Sequence, residues 1–269
     1  MNYSLIAIDI DGTLLTSTGE LAPRVRKAIK RVQQLGVHVT LATGRRACRA
    51  LPWARALELQ CPIITHNGGV IVEASTGVVS HEHSMDLAVS QELLEKLRNH
   101  QIPHMVYSHG ELADCGLLLA KMQHSKALFL EYVDDEVFVV DEIPVDQPVV
   151  KIAVLDYTSS LESKLSDWVG EYENHITQTV YSSAQYTGID FVAKGCSKAS
   201  GVAYVANQLR IERCEVLAIG DDVNDQELLE WAGFSVAMLN APKEIRMIAD
   251  YVTSSNDEDG VAHVLDDIF

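Results

Sequence analysis

The segment 5–13 constrains the fold of this chain more than any other, because an apolar run there ends in two aspartates. Residues Leu5 to Ile8 are all apolar, and Asp9 and Asp11 follow directly. Such a run is typical of a strand buried on both faces, as in a parallel sheet. Open α/β sheets bind ligands beyond the carboxyl ends of their strands. Two carboxylates held there need a cation or a shared proton, so the segment indicates a metal-assisted reaction in which one carboxylate attacks and the other moves protons.

Two other interpretations of this segment remain open on these residues alone. Asp and Gly are common turn formers, so Asp11-Gly12 could belong to an ordinary turn. The segment could also begin a calcium loop, since Glu20 is the twelfth residue counted from Asp9. That loop requires Gly at its sixth position and a helix before it, whereas this chain has Leu14 and a predicted strand. The rest of the chain decides between these interpretations.

Charge and cysteine content narrow the partners and the compartment. The net charge of −17 argues against nucleic acid, because nucleic-acid binders need a basic face. It does not argue against a small phosphorylated substrate, since a bound cation can reverse the local charge. The five cysteines are dispersed and form no Cys-x-x-Cys pair, which predicts reduced thiols. With no visible signal peptide and no stretch of transmembrane length, we expect a cytoplasmic protein that binds no membrane, as a monomer or small homo-oligomer.

The first third of the chain alternates between predicted strands and helices. Strands are predicted at 5–8, 37–42 and 62–65, and a helix begins near Pro23 and ends at Gly36. This alternation predicts the α/β class with a doubly wound parallel sheet.

The alternation stops near residue 84 and returns near residue 189. Residues 84–188 contain strand-like and helical segments without regular alternation, which predicts an inserted α+β domain with an antiparallel sheet. Residues 1–83 and 189–269 are predicted to form one discontinuous α/β core.

A further buried strand is predicted at 216–219, and polar or glycine-containing turns follow this strand and the three predicted above. They are Asp9 with Asp11, Thr43-Gly44-Arg45, Asn67-Gly68-Gly69, and Asp221 with Asn224-Asp225. Each group alone is weak evidence, because Thr43 could be a helix cap and Asp225 a first-turn carboxylate favoured by the helix dipole. Lys198 could be a surface lysine, and Lys194 is a rival for any role given to it.

Taken in this order, the motifs resemble those of the haloacid-dehalogenase-like hydrolase superfamily, and more closely its Cof-type sugar-phosphatase branch. The segments that carry the resemblance are Asp9 to Thr13, Leu41 to Arg45, Lys194 to Lys198 and Gly220 to Asp225. Two further stretches fit, 237–241 and 256–262, and the insertion matches the position of a type IIB cap. The resemblance spans the whole chain and implies an α/β core with an inserted cap domain.

The resemblance also implies roles for three aspartates and a cation. Asp9 would attack phosphorus and form an aspartyl-phosphate. Asp11 would protonate the leaving oxygen and later deprotonate the water that hydrolyses the intermediate. Mg²⁺ would be held by the Asp9 carboxylate, the Asp11 backbone carbonyl and Asp221, an oxygen set that suits this cation.

Further residues would bind the phosphoryl group. Thr43 and Gly44 would contact it, and Lys198 would neutralise both the phosphate and Asp9. Asn224 would support the phosphoryl side of the site. Three more residues would have supporting roles, namely Asp225, Arg45 and Asn67.

The expected activity is Mg²⁺-dependent hydrolysis of small phosphorylated metabolites such as sugar phosphates. A phosphomutase or phosphotransferase on the same core, or a metabolite-binding module with vestigial catalysis, is the alternative. Two residues depart from the family pattern, since Asp222 adds a carboxylate and Leu239 stands where Gly is usual. Their effect on metal preference and rate stays open at this point.

Overall fold

The chain divides into two compact units in the computed structural model. The structure describes residues 3–108, 117–119, 138–140, 143, 146, 148–156, 161, 165, 168–182 and 187–269. One unit consists of Met1–His81 with Ser197–Phe269, and the other is Glu82–Cys196. The chain therefore leaves the first unit, builds the second and returns.

The strands and helices of the described residues are numbered in chain order. The strands are β1 (Leu5–Ile8), β2 (His38–Leu41), β3 (Ile63–Thr65), β4 (Val70–Val72), β5 (Val79–Glu82), β6 (His104–Ser108), β7 (Leu117–Leu119), β8 (Phe138–Val140), β9 (Val149–Asp156), β10 (Ile176–Ser182), β11 (Thr187–Ala193), β12 (Val216–Gly220), β13 (Phe234–Ala237) and β14 (Tyr251–Val252). The helices are α1 (Pro23–Gln34), α2 (Ala47–Ala56), α3 (Leu87–Asn99), α4 (Lys198–Leu209), α5 (Gln226–Trp231), α6 (Lys243–Ile248) and α7 (Gly260–Ile268). Among these described helices, none has the length and hydrophobicity needed to span a bilayer.

A five-stranded parallel sheet forms the centre of the first unit, in the order β14-β13-β12-β1-β2. Ala7 of β1 pairs with Ala218 of β12 on one side and with Thr40 of β2 on the other. Every β1 side chain is fully buried. Because successive side chains of a strand point to opposite faces, both faces of this sheet are covered. The sheet confirms the predicted α/β class with a central parallel sheet.

The third predicted strand is not a full member of this sheet. β3 pairs antiparallel with β4 in a small sheet of order β3-β4-β5. It joins the end of β2 through one parallel bridge between Ala42 and Ile64. The physical reason is the turn His66–Gly68, which follows β3 at once and returns the chain into β4.

The second unit contains a six-stranded sheet in the order β10-β11-β9-β6-β7-β8. Its pairings are antiparallel except for the parallel pair β7 and β8. Leu93 and Leu97 of α3 share a buried cluster with Ile152 and Phe191 of the sheet. The described residues of this unit are therefore α+β, with a largely antiparallel sheet.

The end of the second unit differs from the sequence expectation. The expected boundary between residues 188 and 189 lies inside β11. That strand is hydrogen-bonded to β10 on one side and to β9 on the other, so it belongs wholly to the second unit. The unit ends at Cys196, directly before the residues that begin α4.

Gly201→Val should destabilise the first unit, because α4 packs on β3 without room for a side chain. A Cβ at Gly201 would lie 2.5 Å from Cγ2 of Ile64, which is fully buried. Overpacking of this kind typically costs about 1–3 kcal/mol, measured as a lower free energy of unfolding in a denaturant titration. The same substitution made in an Ile64→Ala background should cost less, because the methyl groups it meets are gone. Equal losses in both backgrounds would contradict this packing explanation.

Candidate active site

The carboxyl ends of three neighbouring strands bring predicted site residues together. Asp9 follows β1 directly, Asp221 follows β12 directly, and Thr43 lies two residues after β2. β1 pairs in parallel with both β12 and β2. All three residues therefore emerge at the same edge of the sheet, where open α/β sheets bind their ligands.

Lys198 is the buried centre of this edge. Its Nζ donates to Oδ1 of Asp9 at 2.6 Å, to Oδ1 of Asp225 at 2.7 Å and to Oδ1 of Asn224 at 3.0 Å. The Lys198 side chain is only 1% exposed. It is the first residue of α4, and Ser197 caps that helix by accepting from the Ser200 N–H. The cap sets the start of the helix and with it the position of the lysine.

The charges around Lys198 shift the pKa of both partners. Burial opposes the charged lysine, but the carboxylates of Asp225 and Asp9 outweigh it and raise the pKa of Lys198. Burial also raises the pKa of Asp9 well above its usual range; Lys198 lowers it, and Asp225, Asp221 and Asp11 raise it further. One ammonium therefore does not balance the carboxylates gathered here, and further positive charge would be stabilising.

Asp221 is fixed by the turn that follows β1. The Thr13 hydroxyl donates to its Oδ1 at 2.7 Å. A Cβ at Gly12 would lie 2.2 Å from its Oδ2, and Gly12 has a φ of +74°, which favours glycine. Burial and the charge of Asp225 raise the pKa of Asp221 to about 7, against the effect of the Thr13 bond.

Three carboxylates are close enough to share a cation, and two of them are suited to it. Ligand oxygens of Asp9, Asp221 and Asp225 lie within 4.8 Å of one another. However, one oxygen of Asp225 accepts from Lys198, and the other accepts from the backbone N–H groups of Asp221 and Asp222 at 3.0 and 3.1 Å. Asp225 therefore holds the lysine and the turn, which leaves Asp9 and Asp221 as the carboxylates for a metal.

Asp11 lies on the open side of the site and is held by Arg45. The guanidinium donates from Nε to Oδ2 of Asp11 at 2.7 Å and from a terminal nitrogen to Oδ1 at 2.5 Å. The Asp11 side chain is 63% exposed, in contrast to 5% for Asp9. The two aspartates therefore have different environments, one buried beside Lys198 and the other at the surface.

Thr43, Gly44, Asn67 and Asn224 form the remaining wall of the site. Thr43 is buried, and its carbonyl accepts from the Asn67 backbone N–H at 3.0 Å. Oδ1 of Asn67 accepts from Nδ2 of Asn224 at 3.3 Å and would lie 3.0 Å from a Cβ at Gly44. Asn67 therefore links the strand ends of β2 and β12.

The turn that presents Asn67 is packed against the start of α4. Three consecutive residues have positive φ, namely His66, Asn67 and Gly68. A Cβ at Gly68 would lie 2.1 Å from the carbonyl oxygen of Ser197, so glycine is required there for close approach. This contact ties the Asn67 turn to the residue directly before Lys198.

Lys194 was the alternative candidate for the role predicted for Lys198, and the structure distinguishes the two lysines. Lys194 is exposed and belongs to the second unit, where its backbone N–H donates to the His175 carbonyl. Lys198 alone of the two bonds to Asp9.

Asp222, the extra carboxylate, has a structural partner. Its Oδ1 accepts from the Val223 N–H at 2.7 Å and caps the short turn Val223–Asp225. Thr13 and Asn240, which contact Asp221, were not among the predicted site residues. Thr13 belonged to the first motif, and Asn240 lies in the stretch 237–241 that fits the family pattern, so each could have been proposed from its segment.

The arrangement combines a buried lysine, a carboxylate beside it, a second exposed carboxylate, and hydroxyl and amide groups at one strand edge. Such a set can bind and attack a phosphoryl group, because the Lys198 ammonium offsets negative charge on both the phosphoryl group and the attacking carboxylate. The comparisons with known proteins agree with this chemistry.

The family model for the haloacid dehalogenase-like hydrolases matches residues 6–265. The stress response protein YhaX of Bacillus subtilis strain 168 is 32% identical over 284 residues, covering 100% of this chain and 94% of that protein. The phosphatase YwpJ of the same strain is 30% identical over 288 residues, covering 97% of this chain and 98% of that protein.

A solved structure, described as a subclass IIB sugar phosphatase of the superfamily, matches with a TM-score of 0.82 over 98% of both chains. At 20% identity this likeness shows the fold alone. The predicted superfamily is confirmed. The chain belongs to the haloacid dehalogenase-like hydrolase family and is a phosphatase.

Proposed function

We propose that this phosphatase is a Mg²⁺-dependent phosphomonoesterase that hydrolyses small phosphorylated metabolites through an aspartyl-phosphate on Asp9. The observation that carries the proposal is the ion pair between Lys198 and Asp9, buried beside Asp221. It holds a carboxylate next to the positive charge that an incoming phosphoryl group needs. Sugar phosphates are the first substrate class to test, because the structural relative is described as a sugar phosphatase.

The first half of the proposed reaction transfers the phosphoryl group to the enzyme. An oxygen of Asp9 forms a bond to phosphorus as the bond to the leaving oxygen breaks. Asp11 gives its proton to that oxygen, so an alcohol departs. Lys198 offsets the repulsion between the phosphate and Asp9. The phosphoryl oxygens bind the residues at the neighbouring strand ends, which are Thr43, Gly44 and Asn224.

The second half releases phosphate. Asp11 takes a proton from water, whose oxygen attacks phosphorus, and the bond to Asp9 breaks. Inorganic phosphate leaves and the Asp9 carboxylate is restored. Arg45 donates to both oxygens of Asp11, a pairing that suits the ionised carboxylate. Arg45 must therefore give up one of these bonds when Asp11 carries its proton.

The residues present fit a divalent cation. Asp9 and Asp221 offer carboxylate oxygens whose pKa values are raised by burial and by neighbouring carboxylates, which a cation would relieve. The Asp11 carbonyl is proposed as the third protein ligand. An oxygen-only set suits Mg²⁺ rather than softer metals. When bound, Mg²⁺ would offset the negative charge of the phosphoryl group.

Removal of the metal should lower phosphate release by at least about 100-fold, because several kcal/mol of charge stabilisation is lost. The measurement is phosphate release after dialysis against a chelator, followed by addition of Mg²⁺, which should restore the rate. Calcium should not restore it, because its larger and looser coordination shell would misplace the nucleophile. Full activity in excess chelator would contradict the metal assignment.

A matched pair of variants tests which carboxylate serves the metal. Asp221→Asn should raise the Mg²⁺ concentration needed for half-maximal activity by about 10-fold or more, because a ligand charge is removed. Asp222→Asn is the control, since asparagine can keep the cap on Val223. A similar loss in both variants would mean that net charge, rather than coordination by Asp221, sets the requirement.

The two N-terminal aspartates should respond differently to substitution. Asp9→Asn should abolish transfer with every substrate, because an amide is a far poorer nucleophile. Asp11→Asn should slow alkyl phosphates by about 10²–10⁴-fold but nitrophenyl phosphate much less, since that leaving group needs little protonation. Rapid-quench labelling should trap phosphoenzyme in Asp11→Asn. Equal rescue of both variants by nitrophenyl phosphate would overturn the assigned roles.

The substrate class is tested by turnover of a panel of phosphorylated metabolites with Mg²⁺. We expect inorganic phosphate from sugar phosphates or similar monoesters without any acceptor. Transfer of the phosphoryl group to a second sugar hydroxyl would instead identify a phosphomutase, and binding without turnover would identify a vestigial site.

We also propose that the inserted unit selects the substrate. The strand-edge residues described above bind the phosphoryl group, which all candidate substrates share, so they cannot distinguish one substrate from another.

A cytoplasmic location is proposed from the thiols. Among the described residues, Cys48, Cys61, Cys196 and Cys214 form no disulfide bond. Burial raises the pKa of the Cys61 and Cys196 thiols to about 12, with a contribution from Glu73 at Cys61, so both stay protonated and unreactive. Cell fractionation should recover the phosphatase in the cytosolic fraction.

Light scattering of the purified protein should give a monomer or a small homo-oligomer.

A further inference from the structure

Asn240 connects three parts of the first unit that are far apart in sequence. It lies in the turn after β13 and is exposed. Its Nδ2 donates to the carbonyl of Gly12 at 2.8 Å and to Oδ2 of Asp221 at 3.3 Å. Its Oδ1 accepts from the backbone N–H of Asn256 at 3.1 Å. One side chain therefore bridges the turn after β1, the residue after β12 and the segment before α7.

These partners allow one orientation of the Asn240 carboxamide. If the amide were flipped, its oxygen would face the Gly12 carbonyl and the Asp221 carboxylate, which are both acceptors. Its NH₂ would then face the Asn256 N–H, which is a donor. The donor end is therefore directed at Asp221 by the hydrogen bonds on both sides.

Asn256 is itself anchored. It is 9% exposed, and its Nδ2 donates to the carbonyl of Leu15 at 2.8 Å. The turn that carries Asp11 is thus held at Gly12 by Asn240 and at Leu15 by Asn256. The backbone N–H that orients Asn240 is fixed to the same turn.

The two oxygens of Asp221 each have one neutral donor among the described residues. Thr13 donates to Oδ1 at 2.7 Å and Asn240 donates to Oδ2 at 3.3 Å. A carboxylate with a donor on each oxygen cannot rotate freely about its last bond. Such outer partners set the orientation of a metal-binding carboxylate, and their loss typically weakens metal affinity about 10–100-fold.

We infer that Asn240 is a positioning residue that orients Asp221 toward the divalent cation, with Asn256 setting the direction of its amide. The inference rests on the proposed function, because it assumes that Asp221 is a metal ligand. Asn240 contacts neither phosphate nor the reacting carboxylate in this role. Its effect should therefore appear in metal affinity and leave the rate at saturating metal nearly unchanged.

The test is direct metal binding to the metal-free enzyme. Calorimetric titration with Mn²⁺, the probe cation, should show one site in the wild type. Asn240→Ala and Asn240→Ser should raise the dissociation constant about 10-fold or more. The control Asn207→Ala, which removes an exposed asparagine from α4, should bind as the wild type does. Melting temperatures without metal are measured for all four proteins, so that a loss of stability is distinguished from a loss of metal affinity.

The outcomes separate the two hypotheses. The positioning role is supported if both Asn240 variants bind Mn²⁺ more weakly and release phosphate at saturating Mg²⁺ within about threefold of the wild-type rate. A change of about threefold in rate corresponds to less than 1 kcal/mol, which is small beside the loss of a metal ligand. Unchanged Mn²⁺ affinity with a lowered melting temperature would show that Asn240 is a structural residue of the turn, and would overturn this inference alone. Failure of the wild type to bind Mn²⁺ would overturn the proposed metal site, and this inference with it.

Discussion

Removing a charged side chain from water is costly, whether it is an ammonium or a carboxylate. The buried charges of Lys198, Asp9 and Asp225 are tolerated because the lysine pairs with both aspartates. Removing one partner of such a group leaves an uncompensated buried charge, typically at about 3–5 kcal/mol. The Lys198 and Asp9 side chains are 1% and 5% exposed. The group also leaves more carboxylate than ammonium in the cluster, so a cation bound beside it would be stabilised.

The rest of the site is arranged around that charge group by close approaches of backbone. Gly12 lets the turn after β1 lie against Asp221, and Gly68 lets the Asn67 turn lie against Ser197. Any Cβ at these positions would overlap its neighbour. The carboxylates and amides therefore reach one small volume because two turns have no side chain in the way, and a parallel sheet places those turns at one edge.

Where the sequence expectations were inaccurate, the cause was strand pairing. β11 has the apolar character of a strand in either unit, and its bonds to β9 and β10 assign it to the second. β3 likewise reads as a strand of the parallel sheet, but the turn at His66 sends it into an antiparallel pair with β4. Periodicity reports that a strand is buried and says little about which strands flank it, because pairing depends on residues distant in the chain.

The sequence by itself determined the class of the core, the family and the residues at the strand ends, because Asp9, Thr43 and Asp221 each closely follow an apolar strand and parallel strands end at one edge. Tertiary structure decided which lysine enters the site, how Arg45 holds Asp11, and that Asn240 faces Asp221. Lys198 and Asp9 are 189 residues apart, and Asn240 and Gly12 are 228 apart. Such contacts depend on how turns from distant segments pack together, and a local pattern of residue types carries no record of that packing.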